Sequence, residues 1–236
     1  MKNKKGYTLM EALVCIGIVG VIAALTIPSL VNKTSKATLG ATLARTIELT
    51  QSGMANIIQE ANKNSDDGNS VVGLSAIKKN DIGLGGNDYI MDDENYGSLL
   101  RSFLETDSFD DYETADIEDY TGANVNNAIV ANLNAFRFKK VNSAIIFQTA
   151  QNLENATRDT IIARVIIDAN GASGPNRFGE DLFLFGLTNS GVLIPAGSEQ
   201  YQEFDNNVVA DSCAEEVGNG LACAARVMAD KWEIKY

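Results

Sequence analysis

MKNKKGYTLMEALVCIGIVGVIAALTIPSLV, residues 1–31, decides how this chain is read. Lys2, Lys4 and Lys5 form a short basic stub that ends at Gly6. Tyr7, Thr8, Leu9 and Met10 follow, then a carboxylate at Glu11, then an uncharged, mostly apolar stretch from Ala12 to Val31. About twenty such residues in one helix are enough to cross a bilayer. The stretch therefore predicts a single membrane span. Lysines ahead of it resist translocation, which predicts a cytoplasmic N-terminus with the bulk of the chain on the outer face. A secretory signal is the rival reading, and it would set a small-residue cleavage site after its apolar core. Here Pro28 and Lys33 come next, and Glu11 stands at the head of the run, where such a signal carries no acid.

Lys4-Lys5-Gly6, then Tyr7-Thr8-Leu9-Met10-Glu11, then the apolar run with Pro28, resemble the N-terminus of the type IV pilin and type II secretion pseudopilin family. The resemblance is specific over residues 4–31. It implies that a prepilin peptidase cuts between Gly6 and Tyr7 and that Tyr7 is then N-methylated. The family usually has phenylalanine there, and tyrosine keeps the aromatic ring. Glu11 becomes the fifth residue of the mature chain, as the family's glutamate is. The resemblance also implies a bacterial inner-membrane location, an assembly platform and ATPase as partners, and a long helix whose outer end carries an antiparallel sheet.

The chemistry of Glu11 points the same way. An acid at mid-bilayer costs roughly 2.5–3.5 kcal/mol, and less near the interface. Cleavage creates an amine at Tyr7. In parallel helices the Glu11 carboxylate of one copy can meet the Tyr7 amine of the next, which offsets the desolvation and sets the stagger. The plainer reading leaves Glu11 at the headgroup level.

The sequence divides into a leader (1–6), an assembly helix (7–31), an amphipathic continuation (32–62) and a head domain (63–236). No proline falls between Asn32 and Asn62, and Leu39, Leu43, Ile47, Met54 and Ile58 recur on one helical stripe. Pro28 is expected to kink the helix. Gly17, Gly20, Gly40 and Gly53 weaken it locally and allow close approach.

In the head, residues 64–73 and Gly83-Leu84-Gly85-Gly86 read as loops. The glycines lack the lysine and spacing of a phosphate cradle. Leu99, Leu100, Phe103 and Leu104 suggest a short helix. Residues 105–119 carry eight acids and no base, an acidic insert read as solvated rather than cation-collecting. Residues 143–149, 160–168, 182–187 and 191–195 are β-branched or aromatic and bounded by turn residues, so they read as antiparallel strands. Residues 232–236 alternate and are expected to add a last strand. The fold class is α+β, a long N-terminal helix packed on a C-terminal antiparallel sheet.

Residues 168–183 hold the oxygen donors Asp168, Asn170, Asn176 and Asp181 on a glycine-rich loop. Two readings stand here. One is a calcium site, since some pseudopilins hold calcium near this part of the fold. The other is a structural hairpin loop, because Asn-Gly and Gly-Pro-Asn are turn formers and the EF-hand pattern is absent. Of the three cysteines, Cys15 lies in the apolar run and reads as a small apolar residue. An oxidising compartment favours a disulfide between Cys213 and Cys223, with free thiols as the alternative. A C-terminal disulfide loop is similar to those of type IV pilins.

The chain has 236 residues and a net charge of −12, and loss of residues 1–6 removes three lysines and makes it −15. Such an exterior does not suit direct contact with nucleic acid, which needs Lys and Arg at the phosphates. There is no histidine, which excludes Ser-His and Cys-His nucleophile systems and His-bound zinc. No enzyme and no resident cofactor is expected. The reading that follows is a structural subunit of a type IV pilus or type II secretion pseudopilus. The alternative is a binding protein or adhesin on a single-pass anchor that never polymerises, and such an anchor has no use for Glu11 beside a Gly6–Tyr7 junction.

Overall fold

A computed structural model describes residues 8–64, 73–91, 103–108, 117–120, 122–123, 134–149, 153, 155–171, 173–202, 213 and 218–236. The chain falls into two compact units, Met1–Thr38 and Leu39–Tyr236. Helix α1, Leu9–Asn64, contributes to both and runs unbroken through Pro28.

Local chemistry explains the extent of α1. Thr8 and Glu11 cap its start, and Lys63 sits in its last turn, where a cation suits the exposed carbonyls. Within the apolar run the hydroxyls turn back onto the helix: Thr26 Oγ1 donates to the Ile22 carbonyl at 2.9 Å and Ser29 Oγ to the Thr26 carbonyl at 3.0 Å. Polar side chains bonded in this way need no water, as a lipid-facing helix requires. Pro28 lacks an N–H, so the Ala24 carbonyl loses its usual helical donor.

In the second unit, strands β1 (Thr106–Ser108), β2 (Asn134–Phe138), β3 (Ala144–Thr149), β4 (Ile161–Asp168), β5 (Leu182–Thr188) and β6 (Leu193–Pro195) form an antiparallel meander in sequence order. A short helix α2, Cys223–Ala229, follows. Register is set by the two-residue period of the strands. Val165 pairs with Phe147 on one side and Phe185 on the other, and all three join the cluster that takes in α1. Their neighbours Ile146, Ile166 and Leu184 join a second cluster on the opposite face, with Ile117, Phe178 and Leu221. Both faces of β4 and β5 are therefore covered, which is why these strands are buried along their whole length.

The α1 stripe includes the expected Leu43, Ile47 and Met54 and adds Thr46, Thr50, Ile57 and Ala61. Thr46 and Thr50 are tolerated because each hydroxyl bonds one turn back, and Thr46 also meets Ser143 at 2.7 Å. Gly40 and Gly53 are buried because the head lies against them. A Cβ on Gly40 would stand 1.9 Å from the Trp232 carbonyl oxygen, and one on Gly53 would stand 1.9 Å from a Leu104 methyl carbon.

Two expectations are corrected. Residues 232–236 do not form a strand: Lys231 and Trp232 adopt positive φ (58° and 69°), which ends any extended run. The segment instead turns after α2, with the Trp232 N–H donating to Val227, and buries Ile234 and Tyr236. The acidic insert is not wholly solvated either. Thr106 and Ile117 are buried, and β1 pairs with β2 at the sheet edge. The loop at 65–72 and most of the suggested helix at 99–104 lie outside the described residues, as do residues 109–116 of the insert.

Candidate functional site

The first candidate is the head of α1. Gly6 and Tyr7 lie outside the described residues. Thr8 N–H and Thr8 Oγ1 both donate to Glu11 Oε2, at 2.9 and 3.0 Å, and the Glu11 N–H donates back to Thr8 Oγ1 at 3.2 Å. This reciprocal pair is a capping box, with Thr8 at the N-cap and Glu11 three residues in. The Thr-x-x-Glu spacing was legible in the sequence, yet the sequence reading gave Glu11 a role in assembly and passed over Thr8.

Below the cap the side chains face outward. Leu9 is 80% exposed and Leu25 74%, and the most apolar window of α1 has none of its residues buried. Cys15 is a free, exposed thiol in this run. A soluble chain does not leave so long an apolar surface uncovered, so lipid or other protein must cover it. By length and composition α1 is able to cross a membrane.

The second candidate is the loop between β4 and β5, and the structure gathers its predicted residues around one carboxylate. Asp181 Oδ1 accepts the Arg177 N–H at 2.7 Å. Its Oδ2 accepts the Asn176 N–H at 3.0 Å and Asn170 Nδ2 at 3.1 Å. Asp168 Oδ1 accepts the Asn170 N–H at 2.9 Å. Burial raises the Asp181 carboxyl above its ordinary range, and these donors pull it back only in part. The set fits a hairpin loop closed on itself. For calcium, six to eight oxygens are needed. The loop holds two buried amide oxygens without hydrogen bonds, Asn170 Oδ1 and Asn176 Oδ1, but both Asp181 oxygens already face N–H donors. Among the described residues no group of three or more His, Cys, Asp or Glu stands together. The cation reading thus fits less well than the hairpin.

Sequence reading missed Arg177. Its guanidinium holds Glu118 at 2.7 Å and Glu180 at 3.0 Å, and these carboxylates raise its pKa, Glu118 first. Glu118 lies 59 residues away, a pairing no local pattern encodes. Arg177 thereby pins the end of the acidic insert to the β4–β5 loop.

The third feature is a disulfide between Cys213 and Cys223, with Cα atoms 4.7 Å apart. Cys223 is the first residue of α2, and Arg226 one turn on donates to the Cys213 carbonyl at 2.7 Å. The same guanidinium lies 5.0 Å from the centre of the Tyr236 ring.

Residues 1–27 match the family described as the prokaryotic N-terminal methylation motif. The chain therefore carries the prepilin-type signal of type IV pilins and pseudopilins, and it takes in Gly6, Tyr7, Thr8 and Glu11. Comparison with curated proteins and with solved structures found no match.

Proposed function

We propose that the chain is a structural subunit of a type IV pilus or type II secretion pseudopilus. It enters the bacterial inner membrane with its N-terminus in the cytoplasm and its head outside. A prepilin peptidase cuts between Gly6 and Tyr7, and Tyr7 is methylated. An assembly platform and its ATPase then draw the subunit out of the bilayer into a filament.

The observation that carries this reading is the uncovered apolar surface of α1 directly behind a methylation motif with one carboxylate in it. In the bilayer, lipid covers that surface. In a filament the helices of other copies cover it, so extraction exchanges one apolar surrounding for another. Glu11 pairs with the Tyr7 amine of a neighbour, which removes an uncompensated charge from the helix bundle and fixes the step between subunits. The head contributes a rigid sheet and, being acidic, leaves contact with nucleic acid to other proteins.

Intact-mass and N-terminal analysis of the chain from native membranes tests the processing. The expected product begins at methylated Tyr7. A chain that keeps Met1 is the anchored binding protein of the alternative reading, and one that begins beyond Val31 has lost its span and is neither that nor a pilin. Glu11→Ala is expected to be cleaved but absent from sheared filaments; normal filaments from it remove the pairing.

A further inference from the structure

We infer that the segment Lys231–Lys235 docks the head on the phospholipid headgroups of the membrane that α1 crosses, with Trp232 and Lys231 as its contacts. The inference rests on the proposed membrane insertion and deepens it. Trp232 is the only tryptophan in the chain and is half-buried. Its carbonyl oxygen lies against Gly40, where a Cβ would stand 1.9 Å away, and Gly40 is the second residue of the unit Leu39–Tyr236. The segment therefore stands where α1 enters that unit. Gly40 comes nine positions after Val31, the last residue of the apolar run. Nine helical residues cover about 14 Å, of which the headgroup layer takes about 5–7 Å. The rest is close to the Debye length of about 8 Å, so charges at this entry act on lipid phosphates.

The backbone singles out the same residues. Among the described residues, Lys231 and Trp232 are the one pair of consecutive non-glycine residues with positive φ, 58° and 69°. Helix capping accounts for the first. The Lys231 N–H donates to the Met228 carbonyl and the Trp232 N–H to the Val227 carbonyl, a pattern that closes a helix with one left-handed residue, usually glycine. Capping asks neither for a lysine there nor for a second left-handed residue, and a bulky side chain held so is strained. Strain of this kind persists where the side chains it presents have a function. An indole suits headgroup depth, with an apolar ring and an N–H that donates. The chain as a whole carries −12, which anionic lipid repels. Lysines near the entry of α1 offset that repulsion. Lys235 holds Asp230 at 3.3 Å and Glu233 at 3.4 Å, and the exposed Lys231 has no ion-pair partner among the described residues. In the β2–β3 turn, whose Ser143 meets Thr46 of α1, Lys139 and Lys140 are exposed beside Glu105.

With one tryptophan in the chain, its emission reports on Trp232 alone. The test places the full-length chain in vesicles of phosphatidylethanolamine and phosphatidylglycerol, with and without a phospholipid that carries a nitroxide on its headgroup. The nitroxide lipid is expected to remove most of the wild-type emission. Lys231→Gly supplies the residue that a left-handed position favours, so the head is expected to melt no lower than wild type. The ratio of docked to undocked heads is nevertheless expected to fall about fivefold, the weight of one lysine at a lipid surface. Emission unchanged by the nitroxide lipid overturns the inference. So does a Lys231→Gly variant quenched as fully as wild type, because the lysine then serves the fold alone. Emission that no lipid quenches, but that becomes shielded from iodide as protein per lipid rises, gives the face to a second copy and overturns it too. If alkaline washing strips wild type from the vesicles, the membrane span and the proposed function fail instead.

Discussion

Reduction of the Cys213–Cys223 disulfide gives a test whose size follows from the chain. The bridge joins residues 10 apart. In the chain-entropy account, closing a loop of that size restricts the unfolded chain by about 9 cal/mol/K, or about 2.7 kcal/mol at 25 °C. Native contacts should survive reduction at first. Cys223 is buried at the start of α2, and Arg226 still reaches the Cys213 carbonyl. The loss therefore falls mainly on the unfolded side. For a domain of about 150–250 residues each kcal/mol moves the melting temperature by about 2–4 °C. Reduction is expected to lower the melting temperature of the head by about 5–11 °C. The assay is near-ultraviolet circular dichroism of the detergent-solubilised chain, heated with and without a thiol reductant. Thiol counting monitors the bond: of the three cysteines, one is free when the bridge is closed and all three when it is open. Complete reduction with a shift of less than about 1 °C would refute the reasoning, because the bridge would then not constrain the unfolded chain.

Gly40→Val drives a side chain into the Trp232 carbonyl and is expected to destabilise the head by about 1–3 kcal/mol, whereas Gly17→Ala, with nothing within 4 Å of its Cβ position, should leave head melting unchanged. Equal melting temperatures for wild type and Gly40→Val would place the C-terminal segment elsewhere. Asp181 has a raised pKa, so the folded head holds its proton more tightly than the unfolded chain, and stability falls as pH rises from near its ordinary value of 3.8. The stability of wild type relative to Asp181→Asn should therefore fall between acid and neutral pH, and a relative rise would reverse the sign of the burial effect. Millimolar calcium should leave the melting of both proteins unchanged. A rise confined to wild type makes the loop a cation site.

How far the chain could be read in advance depended on the range of the interactions. The apolar run of α1 and strands β3 to β6 announce themselves because hydropathy, β-branching and flanking turns are written in consecutive residues. The loop around Asp181 was legible in part, since Asn170, Asn176 and Asp181 share one stretch of chain in which the farthest donor is 11 residues from the acceptor. What escaped is what distance creates. β1 and β2 are short and mixed in polarity, and they become strands by pairing at the edge of a sheet already built by β3 to β5. Nothing in the run 160–168 tells that Arg164 is buried: both faces of β4 are covered, and its guanidinium bonds Gln148 on β3. The alternation of residues 232–236 promised a strand, but the chain reverses after α2 and the same apolar side chains are buried from a turn. Thr8 is a different kind of omission, because its signature was local. An acid in an apolar run draws the search outward, toward a partner that compensates its charge. Its first partner is three residues back on the same chain, where the helix start itself supplies the donors that hold it.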